Sequence, residues 1–482
     1  MESLRDGEPP LSPVARLFQV PSLTVYVVAI MGCKTSINPQ VIKEGFRQVP
    51  IAHPRFTSKL VQKGGKIRWT PTKIDLDDHI IVPEIDSNIE FPDRFVEDYI
   101  SNLTQTTLDL SKPLWELHIL NIKTSDAEAV AFFRIHHSLG DGISLVSLLL
   151  SATRKTSDPE ALPTVPSLKR ESTSSYHCSN TFCRVFVAIW WWLGLIWHTM
   201  VDTVLLLLTI LFIKDTHTPL KSPHRTQLKA KRFVHYTINM DDIKLVKNEM
   251  KTTINDVLLG ATQAGLTRYL SREYGMDADS GATKQRISHV FKNIRLRAGI
   301  AMNIRRVPGI QNMSDMLAKK SKARWGNVVG LVTFPFSIAL HEDPLEYVRH
   351  AKAKMDRKKH SLEANVSYFC TNLALNLFGM KVAEAISLRY MFNTTLVFSN
   401  VPGPMEEISF YGHPIAYIAP GVYGQPHALT FHLLSYANQM TISLSVDPTI
   451  ISNPYLLCDD LKESFKLIRD AVQRKINIEN II

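Results

Sequence analysis

A pair of histidines in the heptapeptide HHSLGDG, at 136–142, offers the residue types best suited to chemistry. The run 128–136 predicts a strand that ends at this pair, the glycines turn the chain, and 143–150 predicts a helix. A neutral imidazole at such a turn can act as a general base near neutral pH, because its ordinary pKa is about 6.5. Asp141 can orient that ring or form an ion pair with an arginine elsewhere in the chain.

Three other interpretations of the histidine pair are weaker. Adjacent histidines on a strand point to opposite faces, which disfavours a jointly buried structural pair. A metal site needs helical spacing or a third ligand, yet Gly140 and Gly142 disfavour a helix and the five cysteines have no CxxC spacing. A serine nucleophile would call for a GxSxG turn, which the sequence lacks. The motif therefore predicts an acid–base histidine and no metal ion.

The elements that must position this motif belong to a long, folded chain. The 482 residues are 45% hydrophobic and 21% charged, which excludes a disordered protein, and the mean hydropathy of −0.03 disfavours a polytopic membrane protein. The net charge of +10 suits an anionic partner such as a membrane surface or a phosphorylated cofactor, although solubility alone also explains it. Basic residues are not interleaved with aromatic residues on one element, so nucleic acid is not an expected partner.

Secondary-structure patterns divide the chain into three parts. They are an N-terminal half at 1–155, a linker with an apolar segment at 156–232, and a C-terminal half at 233–482. The linker prediction comes from the Ser-, Thr- and Pro-rich stretch 154–182. Further predicted elements are strands at 23–31, 393–399 and 440–446, a helix at 253–269 capped by Asn255 or Asp256, and a helix at 459–472. Because strands and helices interleave in both halves, the predicted class is α/β or α+β with two layers.

An apolar segment at 185–213 stands apart within the linker. Its 29 residues contain no Lys, Arg or Glu, and as a helix they would extend about 43 Å, more than the roughly 30 Å core of a bilayer. His198 and Asp202 divide it into two runs that are each too short to span, and four tryptophans lie in its first half. A basic stretch follows, consisting of Lys214, Lys221, Arg225, Lys229, Lys231 and Arg232. These features predict membrane association, with a buried helical hairpin as the alternative.

HHSLGDG resembles the HHxxxDG signature of the CoA-dependent acyltransferase superfamily. More closely, the whole chain resembles the plant-type bifunctional wax ester synthase/diacylglycerol acyltransferase family. Around the histidine motif the family's other motifs occur in order: PLSPVARLF at 10–18, PLWELHIL at 113–120, INDVLLG at 254–260, WGNVVG at 325–330 and FSNVPGP at 398–404. The DFGWG motif of plant acyltransferases that use soluble phenolic acceptors is missing from the sequence, which favours lipid acceptors.

The resemblance implies both a fold and an activity. Two chloramphenicol-acetyltransferase-like halves, each a two-layer α+β unit, would form one body of the α/β class with a channel between them. The enzyme would transfer a long-chain fatty acyl group from acyl-CoA to a long-chain alcohol or to diacylglycerol, giving a wax ester or a triacylglycerol. Acyl-CoA is then a co-substrate, and no cofactor is expected. The implied location is the cytosolic face of the endoplasmic reticulum membrane, with the plasma membrane as a second possibility.

The same resemblance assigns roles to individual residues. His137 would be the general base, His136 would hold the turn beside it, and Asp141 would complete the catalytic motif by pairing with an arginine, for which Arg305 is the candidate. The expected substrate-binding residues are Gly142, Asn255, Asp256, Ser399, Asn400 and Trp115. For Asn255 and Asp256, helix capping is an equally good interpretation.

The resemblance also constrains the apolar segment, since that segment separates two halves that share one channel. A single crossing would place the halves on opposite sides of the membrane. We therefore expect a re-entrant or in-plane helical pair bent near 198–202, with both halves in the cytosol. The basic run 349–359 is a candidate for binding lipid headgroups or CoA phosphates, or is a solvated helix face.

Two other functions stay open at this point. One is the same chemistry with another acceptor, such as a sterol or a small alcohol. The other is a non-catalytic lipid-binding protein with this fold. The intact histidine motif favours an enzyme, because a degenerate site would be expected to lose His137 first.

Overall fold

The computed structural model describes residues 11–48, 53–63, 66–86, 88–164, 181–223, 229–275, 290–307, 309–317 and 324–479. Arg225 and residues 165–180 of the predicted linker lie outside this part of the chain. The described α-helices are α1 (Pro13–Leu17), α2 (Pro39–Gln48), α3 (Pro92–Leu103), α4 (Gly142–Ala152), α5 (Thr181–Leu211), α6 (Met240–Glu249), α7 (Ile254–Glu273), α8 (Met313–Leu317), α9 (Leu345–Lys359), α10 (Glu363–Leu377), α11 (Gly379–Asn393) and α12 (Pro454–Glu479).

The strands of the described residues form two large sheets and a hairpin. They are β1 (Tyr26–Cys33), β2 (Ser58–Lys63), β3 (Lys66–Pro71), β4 (Ile80–Ile81), β5 (Trp115–Leu120), β6 (Ala129–His136), β7 (Thr153–Lys155), β8 (Arg232–Asn239), β9 (Leu296–Asn303), β10 (Val329–Phe336), β11 (Leu396–Val401), β12 (Ile408–Phe410), β13 (His413–Tyr423), β14 (Leu429–Tyr436) and β15 (Gln439–Val446). One sheet has seven strands in the order β4-β5-β6-β1-β13-β12-β7, and the other has six in the order β10-β9-β11-β14-β15-β8. The pair β2-β3 is the hairpin.

Two strands from the C-terminal part of the chain complete the N-terminal sheet. β13 pairs antiparallel with β1 along its length, and β12 pairs antiparallel with the edge strand β7. The two halves are therefore interlocked through the backbone hydrogen bonds of one sheet. The division of the chain at 155 and 233 stays a prediction, since this sheet takes strands from both sides of it.

Each large sheet carries its own hydrophobic core. The core of the seven-stranded sheet includes side chains of β1, β5, β6 and α4, together with β12 and β13. The core of the six-stranded sheet surrounds α7, which is buried along most of its length between α9, α12 and the sheet. Burial of α7 on nearly all sides agrees with its sequence, which lacks a polar stripe.

The elements predicted from sequence patterns are present, with one correction at a helix terminus. The strands predicted at 128–136, 393–399 and 440–446 correspond to β6, β11 and β15, and the helix predicted at 253–269 is α7. The N-cap itself is Thr253, and of the two predicted capping residues Asp256 takes part in the cap as the third residue of the helix. The Thr253 hydroxyl accepts a hydrogen bond from Asp256 N (3.2 Å), and the Asp256 carboxylate accepts one from Thr253 N (3.1 Å). This reciprocal arrangement is a capping box.

The apolar segment forms one continuous helix, so the expected bend near 198–202 was wrong. α5 runs without interruption through Thr181–Leu211, and its portion Cys183–Leu211 is long and apolar enough to cross a membrane. A bend needs a proline, an inserted group or a similar break in the hydrogen-bond ladder, and His198 and Asp202 provide none. A continuous helix is also not the helical pair that was expected, and its placement in a membrane stays a prediction.

Asp202 attaches α5 to the body of the protein. Its carboxylate is fully buried and accepts hydrogen bonds from Lys358 Nζ at 2.9 Å and from Arg357 at the end of α9. Lys358 Nζ also lies 2.6 Å from the buried carboxylate of Glu363, which makes the cluster a chain of alternating charges. Because a buried charge is tolerated when it is paired and hydrogen-bonded, Asp202 holds the helix instead of breaking it.

Gly330 provides a test of how closely helix and sheet pack. A Cβ atom on this residue of β10 would lie 1.8 Å from the backbone oxygen of Ala364 at the start of α10. We expect Gly330→Ala to destabilise the protein by about 1–3 kcal/mol or more, because a backbone oxygen cannot move aside like a side chain. Gly194→Ala is the matched control, since no atom lies within 4 Å of its Cβ position and alanine favours a helix by about 0.8–1 kcal/mol. Thermal unfolding midpoints in detergent check this, and equal midpoints for both variants would contradict the packing.

Candidate active site

The histidine loop, defined as residues 136–142, connects β6 to α4. β6 pairs antiparallel with β1, and just past the end of this ladder His137 N donates a hydrogen bond to Val25 O at 2.8 Å. Asp141 caps the following helix, because its Oδ1 accepts a hydrogen bond from Ser144 N at 3.0 Å. The loop is thus fixed by a strand before it and by a capped helix after it.

His136 is held by its neighbours on both sides. Its Nδ1 lies 2.8 Å from Ser138 Oγ and accepts a hydrogen bond from Ser138 N at 3.2 Å, and its ring meets Tyr26 edge to face. Burial, reinforced by His137, lowers the pKa of His136 to about 3. These contacts suit a neutral residue that fixes the turn, which agrees with the role proposed for it from the resemblance.

His137 presents its imidazole at the site. Its Nδ1 is buried without a well-aligned protein partner, and its ring centroid lies 4.5 Å from that of Phe18, which follows α1. Burial lowers the pKa of His137 below its ordinary value, while its own carbonyl, Asp141 and Asn327 act in the opposite direction. The ring is therefore neutral near pH 7, and this is the form that can accept a proton.

Asp141 forms a buried ion pair with Arg305, the partner suggested from the sequence. Arg305 Nη1 lies 2.8 Å from Asp141 Oδ2, and Arg305 Nη2 lies 3.0 Å from Asp141 Oδ1. Arg305 also donates to the carbonyl oxygens of Arg324 and Gly326, at 2.8 and 2.7 Å. This two-pronged contact joins the histidine loop to a loop of the C-terminal half.

The segment 325–328, part of the WGNVVG motif, docks on the histidine loop. Trp325, Gly326, Asn327 and Val328 each donate one hydrogen bond to the loop or to α4. The acceptors are Leu139 O (2.7 Å), Ser144 Oγ (3.1 Å), His137 O (2.8 Å) and Asp141 Oδ2 (3.0 Å), in that order. The sequence signalled this motif, but nothing in it indicated that Asn327 would contact His137 directly.

Of three expected substrate-binding residues, Trp115 and Asp256 have mainly structural contacts, and Asn255 is half-buried. Trp115 is fully buried, donates from Nε1 to Phe56 O at 2.9 Å and stacks on Phe46, so it lies behind a cavity wall. Asp256 is buried in the capping box of α7, next to Asn255. The structure does not bring these three side chains into contact with the histidine loop, and their role in binding stays a prediction.

The remaining three expected residues lie at or near the loop. Gly142 is the first residue of α4, and a Cβ atom on it would lie 3.0 Å from Val401 at the end of β11. Ser399 and Asn400 precede Val401 on the same strand and, being adjacent, face opposite sides of the sheet. A side chain at this position would therefore require Val401 to shift by a few tenths of an ångström.

An apolar cavity of about 110 Å³ reaches the histidine loop at Gly142. It lies between α4 and the strands β1, β6 and β13, and Val401 and Leu434 close one side of it. Nearly all of its lining is aliphatic or aromatic. Such a cavity suits a hydrocarbon chain far better than a polar ligand.

The basic stretches singled out in the sequence are engaged within the protein. In the run 349–359, all six of the basic residues named from the sequence have protein partners: Arg349, Lys352, Lys354, Arg357, Lys358 and Lys359. After α5, Lys221 and Lys231 are buried, and Lys229 and Arg232 pair with acidic residues. Lys214 is exposed and Arg225 lies outside the described residues, so binding of headgroups by these stretches, and of CoA phosphates by 349–359, stays a prediction. Among the described residues there is also no group of three His, Cys, Asp or Glu side chains that could hold a metal ion.

Solved structures with this architecture define the fold of the chain. A wax ester synthase/diacylglycerol acyltransferase from Marinobacter aquaeolei VT8 superimposes with a TM-score of 0.61 at 18% identity, covering 97% of this chain and 100% of that one. The starter condensation domain of rhizomide synthetase RzmA, solved with C8-CoA and Leu-SNAC, superimposes with a TM-score of 0.54 at 12% identity, covering 96% of this chain and 94% of that one. The predicted fold class of two mixed α/β halves is confirmed: the chain has the fold shared by these acyltransferases and condensation domains.

Sequence comparison then places the chain within one family. Residues 20–258 match the wax ester synthase/diacylglycerol acyltransferase catalytic domain, and residues 325–469 match the WS/DGAT C-terminal domain. Wax ester synthase/diacylglycerol acyltransferase 11 of Arabidopsis thaliana is 50% identical over 470 residues, which are 96% of this chain and 95% of that protein. Wax ester synthase/diacylglycerol acyltransferase 5 of the same plant is 48% identical over 493 residues, which are 99% of this chain and 96% of that protein. The chain belongs to the wax ester synthase/diacylglycerol acyltransferase family, as predicted.

Removing one partner of the buried ion pair tests its contribution to stability. We expect Arg305→Ala to lower the free energy of unfolding by about 3–5 kcal/mol, because Asp141 would be left as an uncompensated buried charge. Lys34→Ala is the control, since Lys34 pairs with Glu407 at the surface and such pairs contribute about 0–1 kcal/mol. Urea unfolding of the two variants measures the difference. Similar losses in both would mean that Asp141 is not held by Arg305.

Proposed function

We propose that this chain is an acyl-CoA-dependent O-acyltransferase that uses His137 as a general base. The acyl group is a long-chain fatty acid, and the acceptor is a long-chain alcohol or diacylglycerol, so the products are wax esters and triacylglycerols. Family membership over almost the whole chain supports the activity. The observation that carries the mechanism is the neutral imidazole of His137 on a loop fixed from both halves.

The reaction follows from the chemistry of a neutral imidazole. His137 takes the proton from the hydroxyl group of the alcohol or diacylglycerol. The oxygen of that hydroxyl attacks the thioester carbonyl, forming a new C–O bond and a tetrahedral oxyanion. The oxyanion collapses, the C–S bond breaks, and the leaving CoA thiolate takes the proton from the imidazolium. A general base contributes about 10²–10⁴-fold to such a rate, and no covalent acyl-enzyme is needed. Acyl-CoA is a co-substrate, and the mechanism uses no metal ion or cofactor.

The apolar cavity is the proposed site for part of a hydrocarbon chain. It ends at Gly142, one residue beyond Asp141, so a chain that enters it has its reactive end near the histidine loop. Its apolar lining gives no hydrogen bonds, so affinity there rises with the buried area of the chain.

The N-terminal turns of α5 are the proposed membrane anchor. Residues 184–193 are all exposed, and from 185 onward all of them are apolar. Consecutive residues of a helix point in all directions, so these turns are apolar all round and stand clear of the protein body. The apolar stretch of nine residues extends about 13.5 Å, less than half of a bilayer core of about 30 Å. It therefore dips into one leaflet.

The rest of α5 is attached to the C-terminal half. Asp202 is clamped by α9, while Arg389 of α11 donates to the carbonyls of Ile210 and Leu211 at 2.7 and 2.9 Å. Exposed apolar residues on α10 and at the α10–α11 turn, Phe369, Leu377 and Phe378, add to the same anchor. With α5 fixed in this way, both halves stay on one side, at the cytosolic face of the endoplasmic reticulum membrane, where long-chain acyl-CoA and water-insoluble acceptors meet.

The decisive experiment is an acyl-transfer assay on membranes that contain the protein. Labelled palmitoyl-CoA is offered with hexadecanol or with diacylglycerol. We expect ester product from the wild type and a loss of at least about 10²-fold in His137→Ala, because the base is removed. Lys34→Ala, a change at the surface away from the site, is the control. Product that persists in His137→Ala contradicts the base assignment, and a folded wild type without product with either acceptor points to another acceptor or to lipid binding alone.

The pH dependence of the same reaction gives an independent check. Because burial lowers the pKa of His137, the base stays deprotonated below the ordinary imidazole value of 6.5. We expect kcat/KM to be flat through pH 7 and to fall only at a pH below 6.5, as the imidazole becomes protonated. An acid limb above pH 7, measured in buffers of constant ionic strength, would contradict the neutral buried imidazole.

Vesicle flotation tests the anchor. We expect the triple change of Trp190, Trp191 and Trp192 to Ser to weaken binding to phosphatidylcholine vesicles by at least tenfold, since each apolar side chain contributes about 1.5–3 kcal/mol when buried. Phe91→Ser, an exposed aromatic outside the anchor, should bind like the wild type. In sealed microsomes, tags at the two termini should be cleaved from the same side. Termini on opposite sides would mean that α5 spans.

A further inference from the structure

A second histidine faces the site from the C-terminal half. His432 lies on β14, directly opposite Ser399 in the parallel ladder between β11 and β14. Residues directly opposite each other in neighbouring strands place their side chains on the same face of the sheet. His432 and Ser399 are therefore neighbours, although the chain separates them by more than thirty positions.

The end of the same ladder shows which way this face points. Val401 and Leu434 are also directly opposite each other, two residues after Ser399 and His432 on their strands. Both line the cavity that reaches the histidine loop, and Val401 is the residue that approaches Gly142. Because residues two apart on a strand share a face, Ser399 and His432 point the same way, about 7 Å further back along the strands.

His432 is buried and neutral. Only 7% of its surface is exposed, and burial together with His137 lowers its pKa to about 3. Its Nδ1 lies 3.5 Å from Thr430 Oγ1, whose hydroxyl can donate to it. In the tautomer in which Nδ1 accepts from Thr430, Nε2 carries the proton, and no described protein group hydrogen-bonds to this Nε2–H. The Ser399 hydroxyl has no partner among the described residues either.

We propose that His432 is a catalytic residue whose Nε2–H, together with the Ser399 hydroxyl, hydrogen-bonds to the thioester carbonyl oxygen as it becomes the oxyanion. This inference rests on the proposed function. It assigns to the C-terminal half the hydrogen-bond donor for the oxyanion, which His137 does not provide because it acts as the proton acceptor. His432 keeps its proton throughout: the oxyanion takes the carbonyl electron pair when the C–O bond forms and returns it when the C–S bond breaks. A donor placed in a dry site is most effective where charge develops.

Kinetics of substitutions at 432 test the assignment. We expect His432→Ala to lower kcat by about 10²–10³-fold with little change in KM for acyl-CoA, because the interaction is made in the transition state. His432→Gln keeps an N–H donor and should recover at least tenfold of that loss. The acid limb of the pH profile should not move in either variant, since His137 remains the base.

A matched control separates catalysis from folding. His427 is a buried histidine of the same half, with a pKa also lowered to about 3 by burial, and its Nε2 lies 3.0 Å from Thr394 Oγ1. We expect His427→Gln to lower the unfolding midpoint but to leave kcat unchanged. A folded His432→Ala with kcat within threefold of wild type would overturn the assignment, as would equal losses in the Ala and Gln variants. If His432→Ala does not fold, His432→Gln and Ser399→Ala carry the same test.

The outcome also distinguishes this inference from the proposed function. A wild type that transfers no acyl group would overturn both. An active wild type that loses activity in His137→Ala but not in the variants at 432 would overturn only the role of His432.

Discussion

The arrangement of the histidine loop depends on the buried ion pair between Asp141 and Arg305. Asp141 satisfies both carboxylate oxygens with two prongs of the guanidinium and two backbone N–H groups, from Ser144 and Val328. Such complete pairing is what makes a buried charge tolerable. Asp141 belongs to the N-terminal half and Arg305 to the C-terminal half. The histidine loop therefore acquires its shape only when the two halves are together. The position of the His137 ring therefore depends on the assembly of both halves.

Two further buried aspartates also pair with cations, although Asp202 leaves its Oδ2 without a hydrogen-bond partner among the described residues. Asp141 holds the loop, Asp202 holds α5 against α9, and Asp215 receives two hydrogen bonds from Arg297, from its N at 2.7 Å and its Nε at 2.5 Å, just beyond the end of α5. Each carboxylate is buried and each meets a cation from a distant segment. Two of these ion pairs flank the docked part of α5. The apolar helix is thus joined to the rest of the protein through its few polar groups as well as through buried leucines such as Leu195 and Leu206.

Local patterns in the sequence predicted the elements and the motif well. The strand and helix that flank His137 follow from periodicity and capping, and the motif itself indicated the chemistry. Contacts between distant segments could not be predicted from these local patterns. Phe18, Asn327 and His432 come from three distant segments, and no local pattern shows that a tertiary fold brings them to one place. The bend expected at Asp202 failed for the same reason, since a charge in an apolar run breaks a helix or anchors it depending on partners far away in sequence.

The pairing of β13 with β1 sets an order of events during synthesis. β1 leaves the ribosome early, and its partner edge is made only when translation is almost complete. In that interval β1 keeps unpaired backbone groups, which invite aggregation. The apolar turns of α5 emerge within the same interval, well ahead of β13. The proposed anchor is therefore synthesised before the catalytic body can close, and the edge of β1 stays open until β13 arrives.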